Sequence, residues 1–449
     1  MSKKVDINRF FCYNFSQAYF CILIFVQSGV NNLFPSMGKR ALMKILMVNK
    51  FHYVKGGSET YYFALKSLLE ARGHKVIDFS MADERNRPSP YSAYFVSNKD
   101  YHAPGSLARQ AALARDFVYS REARAKLDHL VRDTRPDLVH LHLFHHQLTP
   151  SILDGIKKYD LPAVYTAHDL QMLCPNYQMT RDGKACEDCL HGKVLSCVRH
   201  RCVMGSLSKS TLSALEHKMH LLRGAYAPIR CWIMPSQFYF RKFREAGISE
   251  EKLAYIPNFL PQPPVSPVKA PEEKSGFLYL GRLSKEKGIL TLLRAICGTD
   301  IPLRVAGSGP LEEEIKVFIQ KENMKNVRLL GFLQPGAVEK EIGNARAVVL
   351  PSEWYENSSY AAIEAMRQGR PLIGSRIGGI PEQIQGNGLL TVPGSAESLR
   401  QAMLDMMNAS TEKWMNMSKA SLALFTARYT AESHAEKLGL VYQRLGFSL

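Results

Sequence analysis

The sequence predicts an α/β protein built from two doubly wound parallel sheets. Three observations carry this prediction. Residues 45–49 form a short apolar run that leads into a glycine-bearing loop and then into apolar residues at helical spacing. Residues 276–296 repeat the order of strand, loop and helix. Between the two, residues 260–274 contain five prolines, which join neither a helix interior nor a central strand and therefore mark a boundary.

These features divide the chain. We expect an N-terminal domain over residues 43–262, a Pro-rich linker over 263–274, and a second domain over 275–430. A last helix in residues 431–449 is a candidate for crossing back to the first domain. Residues 1–42 form an N-terminal extension that fits neither domain, and we interpret it as dispensable or as a mis-assigned start. Its apolar run, residues 18–26, is too short and too interrupted for a membrane span.

Further elements follow in order within each half. In the first half the apolar pattern predicts strands at 75–79, 137–142 and 162–169, one long basic helix over 107–132, and helices over 206–222 and 238–246. In the second half it predicts strands at 303–306, 327–330, 345–350, 371–374 and 389–392, and helices over 289–296, from 311, and over 358–367, 396–407 and 430–445.

Two glutamates mark the stretch with the most chemical content. Glu356 lies in the loop after the strand at 345–350, and Glu364 lies eight residues later on the predicted helix, so both can face one cleft. The start of that helix, with Asn357, Ser358 and Ser359, offers unpaired backbone N–H groups and small polar side chains that suit a phosphate.

Basic and glycine residues follow the first strand of each half. Gly56 and Gly57 allow a ligand to approach the backbone closely. In the second half, Arg282 offers a planar fork for phosphate oxygens and Lys287 adds a point charge. Taken singly, a Gly-Gly pair is more often a plain turn and a basic loop more often a solvated surface.

The ordered set of these motifs resembles the retaining nucleotide-sugar glycosyltransferases of family 4. It comprises Gly56-Gly57, Arg282 with Lys287, Glu356 with Glu364, and a later Gly-Gly at 378–379. The resemblance covers nearly all of the chain from residue 43 and implies the GT-B fold, in which two Rossmann-like domains face a central cleft. Asn357-Ser358-Ser359 departs from the commoner glycine and phenylalanine after the first glutamate, which leaves the donor sugar open.

The resemblance also implies roles for individual residues. Arg282 and Lys287 would hold the donor diphosphate, and Glu356 would orient the transferred sugar. Glu364 would accept hydrogen bonds from the ribose, while Gly56 and Gly57 would close on the donor. His168, at the carboxyl end of the strand at 162–169, would lie near the sugar. The neighbouring His140, His142, His145 and His146 show that this region is simply rich in histidine.

A cysteine cluster is the least ordinary feature of the first half. Cys174, Cys186, Cys189, Cys197 and Cys202 lie within 29 residues. The Cys186-x-x-Cys189 spacing allows two thiolates to bind one zinc ion, with the other cysteines completing a structural site. Buried free thiols or a redox pair are the alternatives. Catalysis itself is expected to need no cofactor: the sequence contains no Asp-x-Asp, which argues against the metal-dependent single-domain transferases.

The charge is uneven and positive. The net charge is +17, with +9 over residues 43–230 and +4 over 231–449. A basic first domain is compatible with an anionic membrane surface or a lipid-linked acceptor, although a solvated surface explains it equally well. No nucleic-acid motif is present, so no nucleic-acid partner is expected. Nine cysteines without a convincing export signal favour a reducing cytoplasm, with peripheral attachment at the inner membrane face as an option.

The sequence therefore predicts a glycosyltransferase that uses a nucleotide-diphosphate sugar and a saccharide or lipid-linked acceptor, in the synthesis of surface polysaccharide or glycolipid. An NAD-type oxidoreductase shares two Rossmann-like halves, but the loop after the first strand lacks a full Gly-x-Gly-x-x-Gly. A non-catalytic nucleotide-sugar-binding protein is the other alternative.

Overall fold

Two six-stranded parallel sheets follow one another along the chain in the computed structural model. The structure describes residues 42–101, 105–266, 268–272 and 275–449. The N-terminal extension, apart from Leu42, lies outside the described residues. No helix among the described residues is long and apolar enough to cross a membrane.

The first sheet has the strand order β2-β1-β3-β4-β7-β8. Its strands are β1 (Lys44–Val48), β2 (Lys75–Phe79), β3 (Leu138–Leu141), β4 (Ala163–Thr166), β7 (Ile229–Met234) and β8 (Leu253–Tyr255). The helices of this half are α1 (Gly57–Ala71), α2 (Leu107–Val118), α3 (Arg121–Thr134), α4 (Ser151–Lys158), α5 (Leu195–Arg199), α6 (Leu207–Leu222) and α7 (Gln237–Glu245). A small hairpin of β5 (Thr180–Arg181) and β6 (Lys184–Ala185) lies between β4 and α5.

The second sheet has the order β11-β10-β9-β12-β13-β14. Its strands are β9 (Phe277–Leu280), β10 (Leu303–Ala306), β11 (Val327–Gly331), β12 (Ala347–Leu350), β13 (Leu372–Ser375) and β14 (Gly388–Thr391). The helices are α8 (Ile289–Ile296), α9 (Glu312–Lys321), α10 (Pro335–Gly343), α11 (Tyr360–Arg367), α12 (Ile380–Gln383), α13 (Ala396–Met407), α14 (Thr411–Arg428) and α15 (Ala431–Arg444).

Each sheet is buried on both faces. In β1, Leu46 and Val48 belong to one apolar cluster, whereas Ile45 and Met47 belong to another. Successive side chains of a strand point to opposite faces, so the two clusters are the two sides of the first sheet. Such burial explains why these strands read as continuous apolar runs rather than as alternating ones. The predicted fold, two doubly wound α/β domains, is confirmed.

The prediction of one long helix over 107–132 is wrong. The segment is two helices, α2 and α3, separated at Tyr119 and Ser120, whose backbone is extended. Ser120 caps α3 by accepting a hydrogen bond from the Ala123 N–H at 3.2 Å, and its own N–H donates to Thr149 Oγ1 at 3.0 Å. The apolar residues keep their helical spacing across Tyr119 and Ser120, and a capping serine does not alter that spacing. The hydrophobic pattern therefore did not reveal the break.

Helix α15 packs against the first sheet although it follows the second in sequence. Leu438, Val441 and Tyr442 belong to the same apolar cluster as Ile45 and Met47. Tyr442 Oη lies 2.9 Å from His140 Nδ1 on β3. These are the contacts that a terminal helix crossing back to the first domain makes.

Candidate active site

Lys287 and Glu356 form a partly buried ion pair at the carboxyl ends of adjacent strands. Strands β9 and β12 are neighbours in the sheet, so the loops that follow them meet at one edge. Glu356 Oε1 pairs with Lys287 Nζ and also accepts hydrogen bonds from Trp354 Nε1 at 2.9 Å and Ser352 Oγ at 3.1 Å. Two residues that the sequence places 69 positions apart thus form one charged unit.

The surroundings keep Glu356 ionised. Burial acts to raise its pKa, but the Lys287 charge and the hydrogen bonds from Lys287, Trp354 and Ser352 outweigh burial, so that the pKa lies below its ordinary value. Lys287 also lies 5.1 Å from the centre of the Trp354 ring. The site therefore holds a fixed negative charge and a fixed positive charge in contact.

Arg282 presents a second positive charge in the same loop as Lys287, after β9. Its side chain is exposed, and no hydrogen bond or ion pair to it is recorded in the described part of the chain. The loop below it is fixed by Leu283, whose N–H donates to the Ser308 carbonyl at 3.0 Å. Gly309 lies against this turn so closely that a Cβ there would be 2.4 Å from the Leu283 carbonyl oxygen. The Gly307-Ser-Gly-Pro310 turn thus supports the Arg282 loop.

The late Gly-Gly pair fixes the backbone of Glu356. Gly378 has φ +59°, and a Cβ there would lie 2.4 Å from the Glu356 carbonyl oxygen. The Gly379 N–H donates to the same oxygen at 2.7 Å. A side chain at either position would displace the loop that carries Glu356, which is a physical reason for this motif.

Glu364 lies on α11 and is partly buried. Burial raises the pKa of its carboxyl to about 7, against a lowering by Arg367. Among the described residues, Glu364 and Glu356 do not contact each other through a hydrogen bond. The two glutamates therefore differ in protonation near neutral pH, which their spacing in the sequence does not reveal.

Asn357, Ser358 and Ser359 are engaged by other protein groups. The Asn357 side-chain amide donates to the Ala167 carbonyl at 2.9 Å and accepts from Ser236 Oγ at 2.9 Å. Asn258 donates to the Ser358 carbonyl, and the Ser359 N–H donates to Gln383 Oε1 at 3.0 Å. Several of these bonds cross between the domains, a function that the sequence reasoning did not assign.

The Gly56-Gly57 loop meets the second domain. Gly57 starts α1, and a Cβ there would lie 3.2 Å from the ring of Tyr360 at the start of α11. Gly57 therefore lies close to a side chain of the second domain, that of Tyr360. Gly56 has an extended backbone with φ −171°.

His168 lies at the carboxyl end of β4, as its position in the sequence predicts. Its Nε2 is 3.1 Å from His142 Nδ1, and its ring meets that of Tyr61 at 5.2 Å. Burial lowers the pKa of the His168 imidazole to about 3, so the ring is neutral. His142 in turn stacks on His140 at 4.6 Å, and His140 contacts Tyr442 of α15. A row of neutral imidazoles thus joins the cleft to the last helix.

Comparison with known proteins decides the family. Residues 55–261 match the model for Glycosyltransferase Family 4, and residues 266–423 match the model for Glycosyl transferases group 1. The two matches take in the four motifs, the whole second sheet and every strand of the first sheet except β1. The chain belongs to the family 4 glycosyltransferases. The resemblance inferred from the motifs is confirmed, and the oxidoreductase alternative is not favoured.

Relatives of this glycosyltransferase include proteins of surface-polysaccharide regions. It is 22% identical over 353 residues to an uncharacterised 42.6 kDa protein in the cps region of Klebsiella pneumoniae, covering 76% of this chain and 87% of the relative. It is 27% identical to the O-antigen chain mannosyltransferase C of Escherichia coli, covering 35% of this chain and 44% of the relative. With several other curated relatives, too, it spans less than half of their length, between 22% and 48%.

The fold is that of the GT-B glycosyltransferases. HepE of Anabaena, solved in complex with UDP and glucose, superposes with a TM-score of 0.59 at 18% identity and covers 90% of this chain and 100% of that one. At this identity the likeness concerns the fold alone.

Several charged residues at the cleft of this glycosyltransferase were not found from the sequence. Lys50 follows β1, and burial lowers its pKa against the opposing charges of Asp169 and Glu59. Burial raises the pKa of both carboxyls. Asp169 directly follows His168, and this position in the sequence could have identified it as a residue of the site. Glu382 is another: its carboxylate accepts the N–H groups of Gln237 at 2.7 Å and Phe238 at 2.6 Å, and so joins α12 to the start of α7.

The cysteines of residues 174–202 lie together in the loop region between β4 and α6. The Cys174 and Cys189 thiols are in contact, as are those of Cys197 and Cys202. Within the described ranges, no group of three or more His, Cys, Asp and Glu side chains is arranged to hold a metal ion as it stands. The hypothesis of a structural zinc site therefore stays a prediction.

Proposed function

We propose that this protein transfers a sugar from a nucleoside-diphosphate sugar to a saccharide acceptor with retention of configuration. The Lys287–Glu356 pair, together with the exposed Arg282 in the same loop as Lys287, carries the proposal, because it puts cations and an oriented carboxylate at the carboxyl edge of the second sheet. Retention is typical of the family.

Positive side chains stabilise the leaving group in this mechanism. As the glycosidic bond breaks, negative charge builds on the diphosphate, which Arg282 and Lys287 face. Interactions that strengthen at this stage accelerate the reaction more than they tighten binding. The leaving phosphate accepts the acceptor's proton, so no separate base is needed.

The remaining donor contacts are assigned by position. Glu356 orients the transferred sugar, His168 contacts it from the first domain, and Glu364 accepts hydrogen bonds from the ribose hydroxyls. The backbone of residues 357–359 contacts phosphate or sugar, which requires the Ser359 N–H to leave Gln383. Gly56 and Gly57 close on the donor from the first domain. No cofactor takes part in these steps.

A basic cavity of ≈ 1480 Å³ in the first domain is the proposed acceptor site. Its cationic lining includes Lys50, Lys55, Arg85, Arg181 and Arg201. Its apolar lining includes Leu107, Phe117, Met204 and Leu212. Lys55 of this lining interacts electrostatically with Arg282 of the proposed diphosphate site.

Such a lining suits an acceptor that is both anionic and apolar. A lipid-linked saccharide has this chemistry, and its use would bring the basic first domain to an anionic membrane surface on the cytoplasmic side. The likeness to an O-antigen mannosyltransferase and to a protein in a cps region supports a role in surface-polysaccharide or glycolipid synthesis.

Donor binding tests the core of the proposal. The purified chain is titrated with uridine, guanosine and adenosine diphosphate sugars, and UDP-glucose comes first because HepE was solved with UDP and glucose. We expect one sugar nucleotide to bind selectively and to be slowly hydrolysed. Arg282→Ala should abolish hydrolysis, and Arg294→Ala, an exposed arginine on α8, should not.

Two outcomes would contradict the proposal. If the chain binds a nicotinamide dinucleotide firmly and binds no sugar nucleotide, the alternative function of an NAD-type oxidoreductase would be favoured. Binding of a sugar nucleotide without product, with cellular function intact in Glu356→Gln, would indicate a non-catalytic binding protein.

The acceptor is tested separately. A polyprenyl-diphosphate-linked sugar and the same free sugar are compared as acceptors. We expect the lipid-linked form to be used with the lower KM, and Arg201→Ala to raise that KM while Arg199→Ala, outside the cavity, leaves it unchanged. Equal use of both forms would remove the lipid diphosphate from the proposal.

A further inference from the structure

Helix α6 carries three of its leucines on the outside. Leu207, Leu215 and Leu222 are exposed by 53%, 61% and 76%. Thr211 and Lys218 lie between them and are exposed as well, so that the five residues follow one another at intervals of three or four. This spacing places all five on one face of the helix, which we call the leucine stripe.

The opposite face of α6 is buried but mostly polar. Its buried residues are Ser210, Ser213, Ala214, Glu216, His217 and His220. A helix at the surface of a globular protein normally turns its apolar residues toward the core and its polar residues toward water. Because α6 shows the reverse arrangement, packing against the core of the first domain does not account for its exposed leucines.

The leucine stripe adjoins the proposed acceptor cavity. Ser208 and Leu212 line that cavity, and both lie next to the stripe on the surface of α6. Leu107 at the start of α2 and Met204 just before α6 also line it, and their side chains are 85% and 70% exposed. An apolar rim therefore lies between the cavity and the stripe.

Cationic side chains surround the stripe. Residues 193–223 contain six Lys and Arg residues, all exposed except Lys209, and one acidic residue, Glu216, which is buried. At the end of α6 a surface hollow of ≈ 560 Å³ adds further cations. The charged residues among its described lining are four cations and one acid: Arg121, Arg124, Lys158, Arg223 and Asp128. This face of the domain thus combines exposed leucines with an excess of positive charge.

We propose that the leucine stripe and its flanking cations dock the first domain on an anionic phospholipid bilayer. The leucines would enter the boundary between headgroups and acyl chains, while the cations contact lipid phosphates. Charge favours a bilayer over a second copy of this chain, since a symmetric pair meeting at this face would bring like charges together.

The inference rests on the proposed function, because it supplies a route for a lipid-linked acceptor. Docking through the stripe brings the apolar rim at Leu107 and Met204 to the bilayer. A lipid-linked saccharide could then pass from the bilayer into the cavity without its acyl part crossing water.

Vesicle flotation of the full chain tests the surface. We expect binding to vesicles of phosphatidylcholine with phosphatidylglycerol, weakened by high salt and by omission of the anionic lipid. Leu215→Ser should weaken this binding about tenfold, because the leucine loses its burial in the bilayer. Leu440→Ser is the matched control: Leu440 is 60% exposed on α15 and should have no effect. Equal binding by the two variants would overturn the proposal.

The cations are tested in the same assay. Arg121→Gln combined with Arg223→Gln should remove most of the preference for anionic vesicles, whereas Arg294→Gln, exposed in the second domain, should keep it. A preference that survives the loss of Arg121 and Arg223 but is lost in Arg294→Gln would place the bilayer contact on the second domain and overturn the proposal.

Donor hydrolysis separates this inference from the proposed function. Leu215 lies outside the cavity lining, so Leu215→Ser should hydrolyse the donor at the unmodified rate. A chain that hydrolyses its donor but binds no anionic vesicles would overturn docking alone. A chain that binds vesicles through the stripe but binds no sugar nucleotide would support docking and overturn the proposed function.

Photo-crosslinking identifies what covers the stripe. p-Benzoylphenylalanine in place of Leu215 should cross-link to lipid when anionic vesicles are present, and the same group in place of Leu440 should not. A cross-link from position 215 to a second copy, or to another segment of the same chain, would overturn the proposal, because the stripe would then be a protein interface.

Discussion

At the scale of single residues, the two glutamates of the motif have opposite electrostatic environments. Glu356 is held ionised by Lys287, whereas burial raises the pKa of Glu364 to about 7, so that this carboxyl titrates near neutral pH. The same residue type therefore supplies a fixed charge at one position and a titratable group at the other. Three predictions follow from this difference.

Replacing Glu356 by glutamine should lower turnover by about 100-fold, because Lys287 loses its partner and the transferred sugar loses its oriented carboxylate. Steady-state kinetics with the identified donor measure this loss. Glu353→Gln is the matched control: Glu353 lies in the same loop but accepts its hydrogen bond from Thr291 at 2.6 Å. An equal loss in both variants would indicate damage to the loop rather than a role for Glu356.

Donor affinity should depend on the protonation of Glu364. A ribose hydroxyl donates to the ionised carboxylate and so lowers its pKa on binding, which means that the donor binds more weakly as pH falls below about 7. Glu364→Gln should remove this dependence, and Glu397→Gln, exposed at the start of α13, should keep it. Calorimetric titration across this range measures it. An unchanged pH profile in Glu364→Gln would exclude the ribose contact.

The same carboxyl affects stability with a defined sign. Its pKa in the folded chain lies above the ordinary value of 4.5, so the folded state binds the proton more tightly than the unfolded state. The free energy of unfolding should therefore decrease as pH rises from about 4.5 to about 7. Denaturant titrations should show a smaller decrease for Glu364→Gln; a decrease as large as in the unmodified chain would assign it to other groups.

At the scale of elements, capping and close contacts decide where helices begin and how loops lie. Ser120 divides one apolar pattern into α2 and α3. Gly378 and Gly379 allow the loop after β13 to lie on the backbone of Glu356. Neither effect changes the hydrophobic periodicity of the sequence. The sequence therefore showed the Gly378-Gly379 motif but did not show its contact with the backbone of Glu356.

Ser120→Ala should lower the free energy of unfolding by about 1 to 2 kcal/mol, since it removes a buried cap. Ser106→Ala removes the equivalent cap of α2, in which the Ser106 Oγ accepts a hydrogen bond from the Arg109 N–H at 3.3 Å. No residue of α2 is buried. The effect of Ser106→Ala should be a few tenths of a kcal/mol. Urea denaturation compares the two, and equal losses would contradict the distinction.

At the scale of the whole molecule, contacts between the halves surround the candidate site. Asn357 bonds to Ala167 and Ser236, Glu382 caps α7, and α15 returns to the first sheet. Residues far apart in sequence thereby hold the Glu356 loop against His168. A substitution that weakens the contacts between the domains should therefore displace the Glu356 loop even when the substituted residue does not contact the site.

Leu438→Ala should cost about 2 to 5 kcal/mol in the free energy of unfolding, because this side chain of α15 is completely buried against the first sheet. Leu440→Ala lies on the same helix but is 60% exposed, and its effect should stay within about 0.5 kcal/mol. Chemical denaturation of the full chain measures both. Equal values would show that docking of α15 contributes little.

The sequence by itself determined the fold class, the family and the four motifs. Buried parallel strands produce continuous apolar runs, and a strand, glycine loop and helix recur at the start of each half. Such local patterns are legible because each arises within a few residues. The positions of Arg282, Lys287 and Glu356 at strand ends followed from the same patterns.

Only the tertiary structure decided what these residues do to one another. The pairing of Lys287 with Glu356, the neutral state of His168 and the elevated pKa of Glu364 arise from burial and from neighbours distant in sequence. Lys50 and Asp169 were missed for this reason, because a charge acquires meaning at a site only when folding removes it from water and brings an opposite charge close.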